Sequence, residues 1–244
     1  MSTSIIRGFT TALVVIALSA CASATQATSA TQTTSPTQAT NSSTTPVIPQ
    51  AVINPQSEAA AIEQARADSI RHPYTDADVK FMSGMIHHHS QAIVMSRWAE
   101  SHGASPAVQR LANRIINAQQ DEILTMQNWL RDRQKPVPEA TAGGMMMSMG
   151  GMQHEMLMPG MLTEDQMKQL DAARGPEFDR LFLTYMIQHH KGAVSMVKDL
   201  FDSYGAGQDE VVFKFASDVN VDQTTEIARM EKLLISLTLG VDTQ

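Results

Sequence analysis

Apolar residues recur at every third or fourth position along most of the chain after residue 57, which is the spacing of amphipathic α-helices. Signals for helix starts and stops divide this pattern into segments. The starts are Thr75, Ser105-Pro106, Thr163 with Gln166 as a capping box, and Gly175-Pro176. We predict helices over about 58–72, 75–102, 105–134, 175–204 and 208–239, with a short helix after Thr163. Long strands are not predicted, so the predicted fold class is all-α.

The helical pattern contains an internal repeat. Eight residues of the segment after Thr75 recur 101 positions later with the same spacing. They are Asp78, Phe81, Met85, Ile86, His88, His89, Ala92 and Met95, matched by Asp179, Phe182, Met186, Ile187, His189, His190, Ala193 and Met196. The next segment recurs 104 positions on, with Gln119, Glu122, Ile123, Met126 and Leu130 matched by Gln223, Glu226, Ile227, Met230 and Leu234. Each half is therefore one helical hairpin, and two hairpins predict a four-helix bundle with one long crossover.

The first 20 residues have a different pattern from the rest. Arg7 precedes an apolar run from Thr11 to Leu18, and small residues close the segment. This is typical of a secretory signal peptide and too short for a membrane-spanning helix. The ending Leu18-Ser19-Ala20-Cys21 resembles the processing site of bacterial lipoproteins, so we predict Cys21 as the lipid attachment residue. The alternative is an ordinary cleaved signal in which Cys21 is incidental.

Composition divides the remaining chain. Residues 22–57 carry no charged side chain and are dominated by Ser, Thr, Gln and Ala, so they bury too little apolar surface to fold. We predict a signal peptide over 1–20, a lipidated disordered tether over 21–57 and a helical bundle over 58–244. Within the bundle, repeat 1 covers about 73–136, the crossover 137–162 and repeat 2 about 163–240. The expected location is extracytoplasmic, anchored to a membrane by lipid, on the periplasmic or cell-surface side.

Charge and cysteine content exclude several classes of function. The formal net charge is −7, so the chain lacks the basic excess that nucleic-acid binding uses. A single Cys excludes an internal disulfide framework and any cysteine-cluster metal site. Methionine is over-represented, with 17 Met against 12 aromatic residues, and nine of the Met lie between Met145 and Met167. Methionine often fills apolar cores, but the Gly-rich stretch 143–152 has no core to fill.

The repeated polar residues fall on the buried faces of the predicted helices, where an unpaired polar group costs about 1–3 kcal/mol. Thioether and imidazole together favour Cu(I), whereas a di-iron bundle would need Glu where this chain has Met85 and Met186, and zinc would favour thiolates. The predicted metal ligands are Met85, His88, His89, Met95 and Met126, mirrored by Met186, His189, His190, Met196 and Met230. Gln119, Glu122, Gln223 and Glu226 flank them; the two Glu side chains either fix a His tautomer or are solvated. The alternative is that His88 and Gln119 bond each other and the methionines only pack.

The crossover from Gly143 to Met161 holds eight Met and one His within a Gly-rich stretch. No helical period survives its Gly pairs, so we predict a flexible segment that captures soft metal ions; the alternative is a disordered or docked linker. The predicted capture residues are Met145, Met146, Met147, Met149, Met152, His154, Met156, Met158 and Met161.

The two His-His motifs, together with the repeated Gln-Glu-Ile-Met motif, resemble the signature of the family called domain of unknown function 305. Met158-Pro159-Gly160-Met161 and Phe178-Asp179-Arg180-Leu181-Phe182 are similar to that family's central segment. The resemblance extends over about residues 73–240 and implies an exported or membrane-anchored, ferritin-like four-helix bundle. The resemblance also implies copper binding, because some relatives bind copper outside the cytoplasm and support copper tolerance. His87 departs from the pattern: it makes the first motif a triple His where the second has Gln188, which leaves open which imidazole binds.

These observations predict a copper-binding lipoprotein that buffers or sequesters copper or supports tolerance to it, with Cu(I) favoured and Cu(II) reachable through the His residues. We predict no catalytic residues, because no nucleophile–base pair, phosphate loop or carboxylate dyad occurs. One alternative is a bundle oxidoreductase with a His/Glu-bound metal around His88, His189, Glu122 and Glu226. Another is a metal-free envelope interaction module with a methionine-rich docking patch.

Overall fold

The computed structural model describes residues 55–71, 73–149 and 152–240. The predicted signal peptide, Cys21 and nearly all of the predicted tether lie outside the described residues. The side chains of residues 147–149 and 152–154 lie outside them as well, so the predicted capture residues Met147, Met149, Met152 and His154 are placed by backbone only. Within the described part, no helix is both long enough and apolar enough to cross a membrane.

The fold is an all-α bundle, as predicted. Its helices are α1 Pro55–Arg71, α2 Asp76–Ser101, α3 Pro106–Asp132, α4 Glu164–Ala172, α5 Gly175–Asp202 and α6 Glu210–Leu239. Thr75 and Thr163 each form a capping box, and the Ser105 hydroxyl accepts from the Val108 N–H ahead of Pro106. Asp209 caps α6 by accepting from two N–H groups. Helix α1 begins at Pro55, three residues before the predicted start, so 55–57 is helical rather than tether.

Two helical hairpins, α2–α3 and α5–α6, pack together through α2 and α5. These two helices run antiparallel: the His102 ring beyond the end of α2 lies 5.2 Å from the Phe178 ring near the start of α5. At the middle of both helices, His88 faces His189. The internal repeat of the sequence is therefore a repeat of structure, with the histidines where the two halves cross.

A polar layer divides the core into two apolar clusters. The first cluster includes Met85, Ile123, Met126, Val197 and Val219. The second cluster includes Leu111, Ile115, Phe178, Met186 and Met230. Between them lie the buried polar side chains His88, His89, Gln119, His189, His190 and Gln223. The sequence spacing explains this division, because the polar positions fall in the middle of each long helix and the apolar positions on either side.

Each hairpin also holds the turn of the other through a buried carboxylate. Asp78 at the start of α2 accepts a hydrogen bond from the Gly207 N–H at 2.7 Å, in the α5–α6 turn. Asp179 at the start of α5 accepts from the Ser105 N–H at 3.1 Å, in the α2–α3 turn. Asp78 and Asp179 are equivalent in the repeat and are 0% and 2% exposed, so these repeated residues join the two halves.

The crossover contains a β-hairpin, which the sequence analysis did not predict. Strands β1 Met145–Met149 and β2 Met152–Met156 pair antiparallel, with Met145 opposite Met156 and Met149 opposite Met152. This register leaves two positions between the strands, and the sequence has Gly150-Gly151 there, a known signal for a two-residue hairpin turn. The flexible segment predicted here therefore includes two short paired strands, which the loss of helical period at the Gly pairs does not indicate.

Candidate functional site

Two imidazoles, one from each repeat, meet at the centre of the bundle. His88 on α2 and His189 on α5 have ring centroids 3.8 Å apart, with 40° between their planes, and both are 0% exposed. Burial, and next the nearby His89, lower the pKa of His88 to about 3. Burial, and next His88, hold the pKa of His189 well below its ordinary value. Both rings are therefore neutral at physiological pH, with nitrogen lone pairs available.

The second histidine of each doublet faces a carboxylate on the partner helix of its own hairpin. His190 Nε2 is hydrogen-bonded to Glu226 Oε2 at 2.7 Å. His89 Nε2 lies 2.7 Å from Glu122 Oε2, close enough for an ion pair but without the alignment of a hydrogen bond. Both Glu side chains are about a fifth exposed, at 21% and 18%. The repeat thus places a carboxylate at each outer imidazole, where it orients the ring.

Several polar atoms of this layer are buried without a hydrogen-bond partner. The Nδ1 atoms of His88, His89, His189 and His190 all lack one, and so does His189 Nε2. The amide oxygens of Gln119 and Gln223, equivalent in the repeat, also lack one. The alternative in which His88 bonds Gln119 is not realised, since His88 Nε2 lies 3.0 Å from the Pro159 carbonyl oxygen instead.

The predicted Met ligands separate into two groups across the polar layer. Met85 and Met126 belong to the first cluster, against which Met196 packs. Met95 belongs to the second cluster, with Met186 and Met230. Met95 and Met196 therefore change places relative to the predicted ligand sets, which grouped the methionines by repeat. The antiparallel crossing of α2 and α5 is the cause, because the end of one helix lies beside the start of the other.

The crossover is held over the histidine pair by two residues that occupy equivalent positions in the repeat. On α2, the Gln91 side chain accepts from the Leu162 N–H at 2.7 Å and donates to the Leu162 carbonyl at 3.0 Å. On α5, Gly192 lies so close that a Cβ there would be 1.9 Å from the Pro159 carbonyl oxygen. Neither role was predictable from the sequence, because the partners of both residues are loop residues that no periodicity indicates.

His87, the third histidine of the first motif, lies apart from the pair. Its Nδ1 is 3.4 Å from the Thr141 carbonyl oxygen and 3.3 Å from the Thr141 hydroxyl. Burial lowers its pKa, and the Thr141 contact opposes that shift. This side chain therefore contacts the crossover, and the second repeat has Gln188 in the same place.

The remaining predicted capture residues take three positions. Met146 on β1 is 59% exposed, whereas Met161 is buried with 5% exposure. Met145, Met156 and Met158 line a cavity of about 480 Å³, which Met196 of α5 also lines. Among the described residues, no group of three or more His, Cys, Asp or Glu side chains is arranged to hold a metal ion.

The sequence profile of the family described as Domain of unknown function (DUF305) matches residues 78–234, which include both hairpins and the crossover. The chain belongs to this family. The match confirms the resemblance drawn from the His-His motifs. A 56-residue stretch is also 43% identical to an uncharacterised protein of Acanthamoeba polyphaga mimivirus, covering 23% of this chain and only 37% of that protein.

Solved DUF305 structures share the fold. One from Streptomyces coelicolor, described as a secreted protein, is 31% identical with a TM-score of 0.55, covering 66% of this chain and 94% of its own. A fragment from Deinococcus radiodurans is 26% identical, also with a TM-score of 0.55, covering 66% and 97%. CopM in its Cu(II)-bound form is 28% identical with a TM-score of 0.51, covering 65% and 96%.

Proposed function

We propose that the protein is an extracytoplasmic lipoprotein that binds copper, chiefly as Cu(I), through the histidines at the centre of the bundle, and so sequesters or buffers it. The observation that carries this proposal is the set of four buried imidazoles whose Nδ1 atoms have no partner. His88 and His189 are the central pair, and His89 and His190 stand beside them.

Energetics favour a ligand at these nitrogens. Each buried polar atom without a partner costs about 1–3 kcal/mol, and the repeat preserves that cost in both halves of the molecule. A neutral imidazole is the form that binds metal, and the burial of His88 and His189 keeps them in that form. Soft thioethers in the adjoining clusters, Met85 and Met186 among them, favour Cu(I) over harder ions.

The relatives support the same reading. CopM, which shares the fold, has been solved in a Cu(II)-bound form. The Streptomyces coelicolor protein is described as secreted, in agreement with the signal peptide predicted for residues 1–20. The lipid anchor rests on Cys21 and the processing site before it. A bound ion would accept lone pairs from the imidazole nitrogens that have no hydrogen-bond partner. Glu122 and Glu226 would hold the outer rings in orientation.

Paired substitution of the central histidines tests this function. We expect His88→Gln with His189→Gln, in the full chain, to weaken Cu(I) binding by about 100-fold or more, because both central imidazoles are removed. The measurement is competition against a chromophoric Cu(I) chelator, with circular dichroism to verify that the variant is folded. The matched control is His87→Gln, which copies the Gln188 of the second repeat and should bind copper like the unmodified chain. Equal affinity of the paired variant and the control would contradict the proposal.

A carboxylate-dependent oxidoreductase is the second candidate, since Glu122 and Glu226 each lie 2.7 Å from a histidine nitrogen. The Glu122→Gln variant separates the two functions. The amide keeps an oxygen beside His89 and every proposed ligand remains, so the copper stoichiometry should be unchanged, with Cu(I) affinity lowered by no more than about 10- to 100-fold. A hard-metal centre would instead lose its metal together with the negative charge, which metal analysis after purification with iron or manganese would detect.

A further inference from the structure

The cavity of about 480 Å³ under the β-hairpin is bordered by four thioethers. Met145 comes from β1, Met156 from β2, Met158 from the turn that follows, and Met196 from α5. The lining also includes Lys80 and Asp199, one charge of each sign. The concentration of sulfur is the distinguishing feature of this cavity.

Exposure separates these methionines from the ones in the core. Met145, Met158 and Met196 are partly exposed, and Met156 is 44% exposed, so solvent reaches the cavity. Met85, Met95, Met126, Met186 and Met230 are all 0% exposed. Met196 packs partly against the first apolar cluster, but Met156 is largely out of the core, so apolar packing does not account for the whole set of four around one cavity.

Backbone structure directs these side chains into the cavity. Met145 and Met156 are paired across the β-hairpin, which puts them on the same face of the ribbon. The Gly144 N–H donates to Glu155 Oε1 at 2.6 Å and fixes the base of the ribbon. The following turn is fixed by the contact between Pro159 and Gly192.

The two repeats differ at the helix position that lies beneath the cavity. Gly84 of α2 is equivalent to Tyr185 of α5. A Cβ at Gly84 would be 3.5 Å from Met158 Sδ and 3.6 Å from Met145 Cε, so these two side chains lie directly over the glycine. A ring in place of Gly84, such as the second repeat carries, would occupy the space that the thioethers border.

We propose that this cavity is a second metal site, specific for soft monovalent ions, in which Met145, Met156, Met158 and Met196 supply thioether ligands. The choice of Cu(I), with Ag(I) as its chemical analogue, rests on the proposed function, but the ligands are distinct from the central histidines. Four neutral thioethers select soft monovalent ions over Zn²⁺ or Mg²⁺, and Asp199 is the one carboxylate in the lining that the structure describes.

One turn of the crossover contacts both the cavity and the central histidines. Met158 precedes Pro159, whose carbonyl oxygen is 3.0 Å from His88 Nε2. The same short turn therefore carries a cavity thioether and contacts one imidazole of the central pair. An ion bound to the Met158 thioether would therefore be held by the residue next to Pro159, whose carbonyl contacts His88. The cavity is the solvent-facing site, and the histidine pair is the buried one.

The test uses Ag(I), which is inert to air oxidation, with the full chain. Met156→Leu with Met158→Leu removes two thioethers at nearly constant side-chain volume. We expect this variant to bind one Ag(I) fewer per chain than the unmodified protein. The matched control is Met167→Leu, at a methionine of α4 that neither lines the cavity nor belongs to the predicted ligands, and it should leave the stoichiometry unchanged. Equal stoichiometry of the two variants would overturn the inference.

A second comparison separates the cavity from the histidine site. In a His88→Gln, His189→Gln background, X-ray absorption of the remaining bound ion should show sulfur ligands only. Loss of all Ag(I) in that background would overturn the cavity site and leave the proposed histidine function in place. Full Ag(I) and Cu(I) affinity in that background, abolished by the Met156 and Met158 changes, would support the cavity and contradict the proposed histidine function.

Discussion

Neutral imidazoles at the centre of an apolar bundle are the defining chemical feature at the scale of single residues. Water contributes nothing to solvating His88 or His189, and the other histidines of the layer repel any proton that would charge them. In the part of the chain that the structure describes, carboxylates contact the outer histidines, His89 and His190, and not the central pair. The central rings are therefore maintained as lone-pair donors by burial itself.

The stability of the metal-free protein should depend on pH through these rings. The ordinary histidine pKa is 6.5, and in the folded state His88 has a pKa of about 3, with His189 also well below 6.5. Between those values the unfolded chain binds protons that the folded chain excludes. Stability is thus fully present above pH 6.5 and falls below it, by up to about 1.4 kcal/mol per pH unit for each histidine.

Denaturant unfolding of the metal-free full chain at a series of pH values measures this slope. The His88→Gln, His189→Gln variant should show a shallower decline between pH 6.5 and 4, since Gln does not titrate. Identical slopes for the two proteins would show that the central histidines are not the groups responsible.

Sequence reasoning located these residues but not their partners. A repeated His doublet on a buried helical face can be read from spacing alone, because helical periodicity is local. The Pro159 carbonyl is 71 residues from His88, and its position depends on how the crossover folds back over the bundle. The exchange of Met95 and Met196 between the two clusters likewise depends on the direction in which α5 crosses α2.

Among the elements, the crossover is the one that lies against the central histidines from outside the four long helices. It reaches both central helices, through Gln91 on α2 and Gly192 on α5, and it places Pro159 against the histidine pair. A helix interior ordinarily disfavours glycine, so the absence of a side chain at Gly192 is explained by the backbone that lies there.

Alanine substitution at the two glycines beneath the crossover should have opposite effects. Gly192→Ala places a Cβ 1.9 Å from the Pro159 carbonyl oxygen, and we expect the resulting displacement to destabilise the protein by about 1–3 kcal/mol. At Gly84 the nearest atoms to a new Cβ would be 3.5 Å away, an ordinary contact. Gly84→Ala should be neutral or stabilising by up to about 1 kcal/mol, through helix propensity.

Thermal and denaturant unfolding of the two variants measures the difference. A Gly192→Ala variant as stable as Gly84→Ala would mean that the crossover does not rest on α5 as described.

Helix boundaries and caps were predictable, whereas the hairpin in the crossover was not. The side chains of Thr75, Ser105 and Thr163 each accept a hydrogen bond from the backbone N–H three residues later. Four consecutive residues are therefore enough to recognise each cap. Strand pairing in the crossover joins residues on either side of the Gly pair. Methionine has no marked preference for strands, so the composition of the segment does not indicate them.

At the scale of the whole molecule, the two hairpins depend on each other. Each buries its polar layer against the other, and Asp78 and Asp179 each bond the turn of the opposite hairpin. Neither half can satisfy these groups alone, although each carries a copy of nearly every contact residue. One hairpin alone therefore carries the residues of the contact between the hairpins but has no second hairpin to contact.

The second half alone, residues 163–240, should fold only by association. Two copies can repeat the antiparallel contact of α2 with α5, with Asp179 of each copy at the Gly207 turn of the other, as Asp78 is in the full chain. We expect helicity measured by circular dichroism to rise with concentration, and light scattering to report a dimer. The full chain, as the control, should keep its helicity on dilution. A helical monomer of residues 163–240 would contradict this dependence between halves.

The thioether-lined cavity also makes part of the molecule vulnerable to oxidants. Conversion of Met156, 44% exposed, to its sulfoxide would replace a soft sulfur donor with a polar oxygen, while Met85 and Met126 at 0% exposure are shielded. Damage would therefore fall first on the solvent-facing ligands and leave the buried histidines chemically intact. Because methionine sulfoxide reductases reverse this change, the thioethers of the cavity could be restored without replacing the protein.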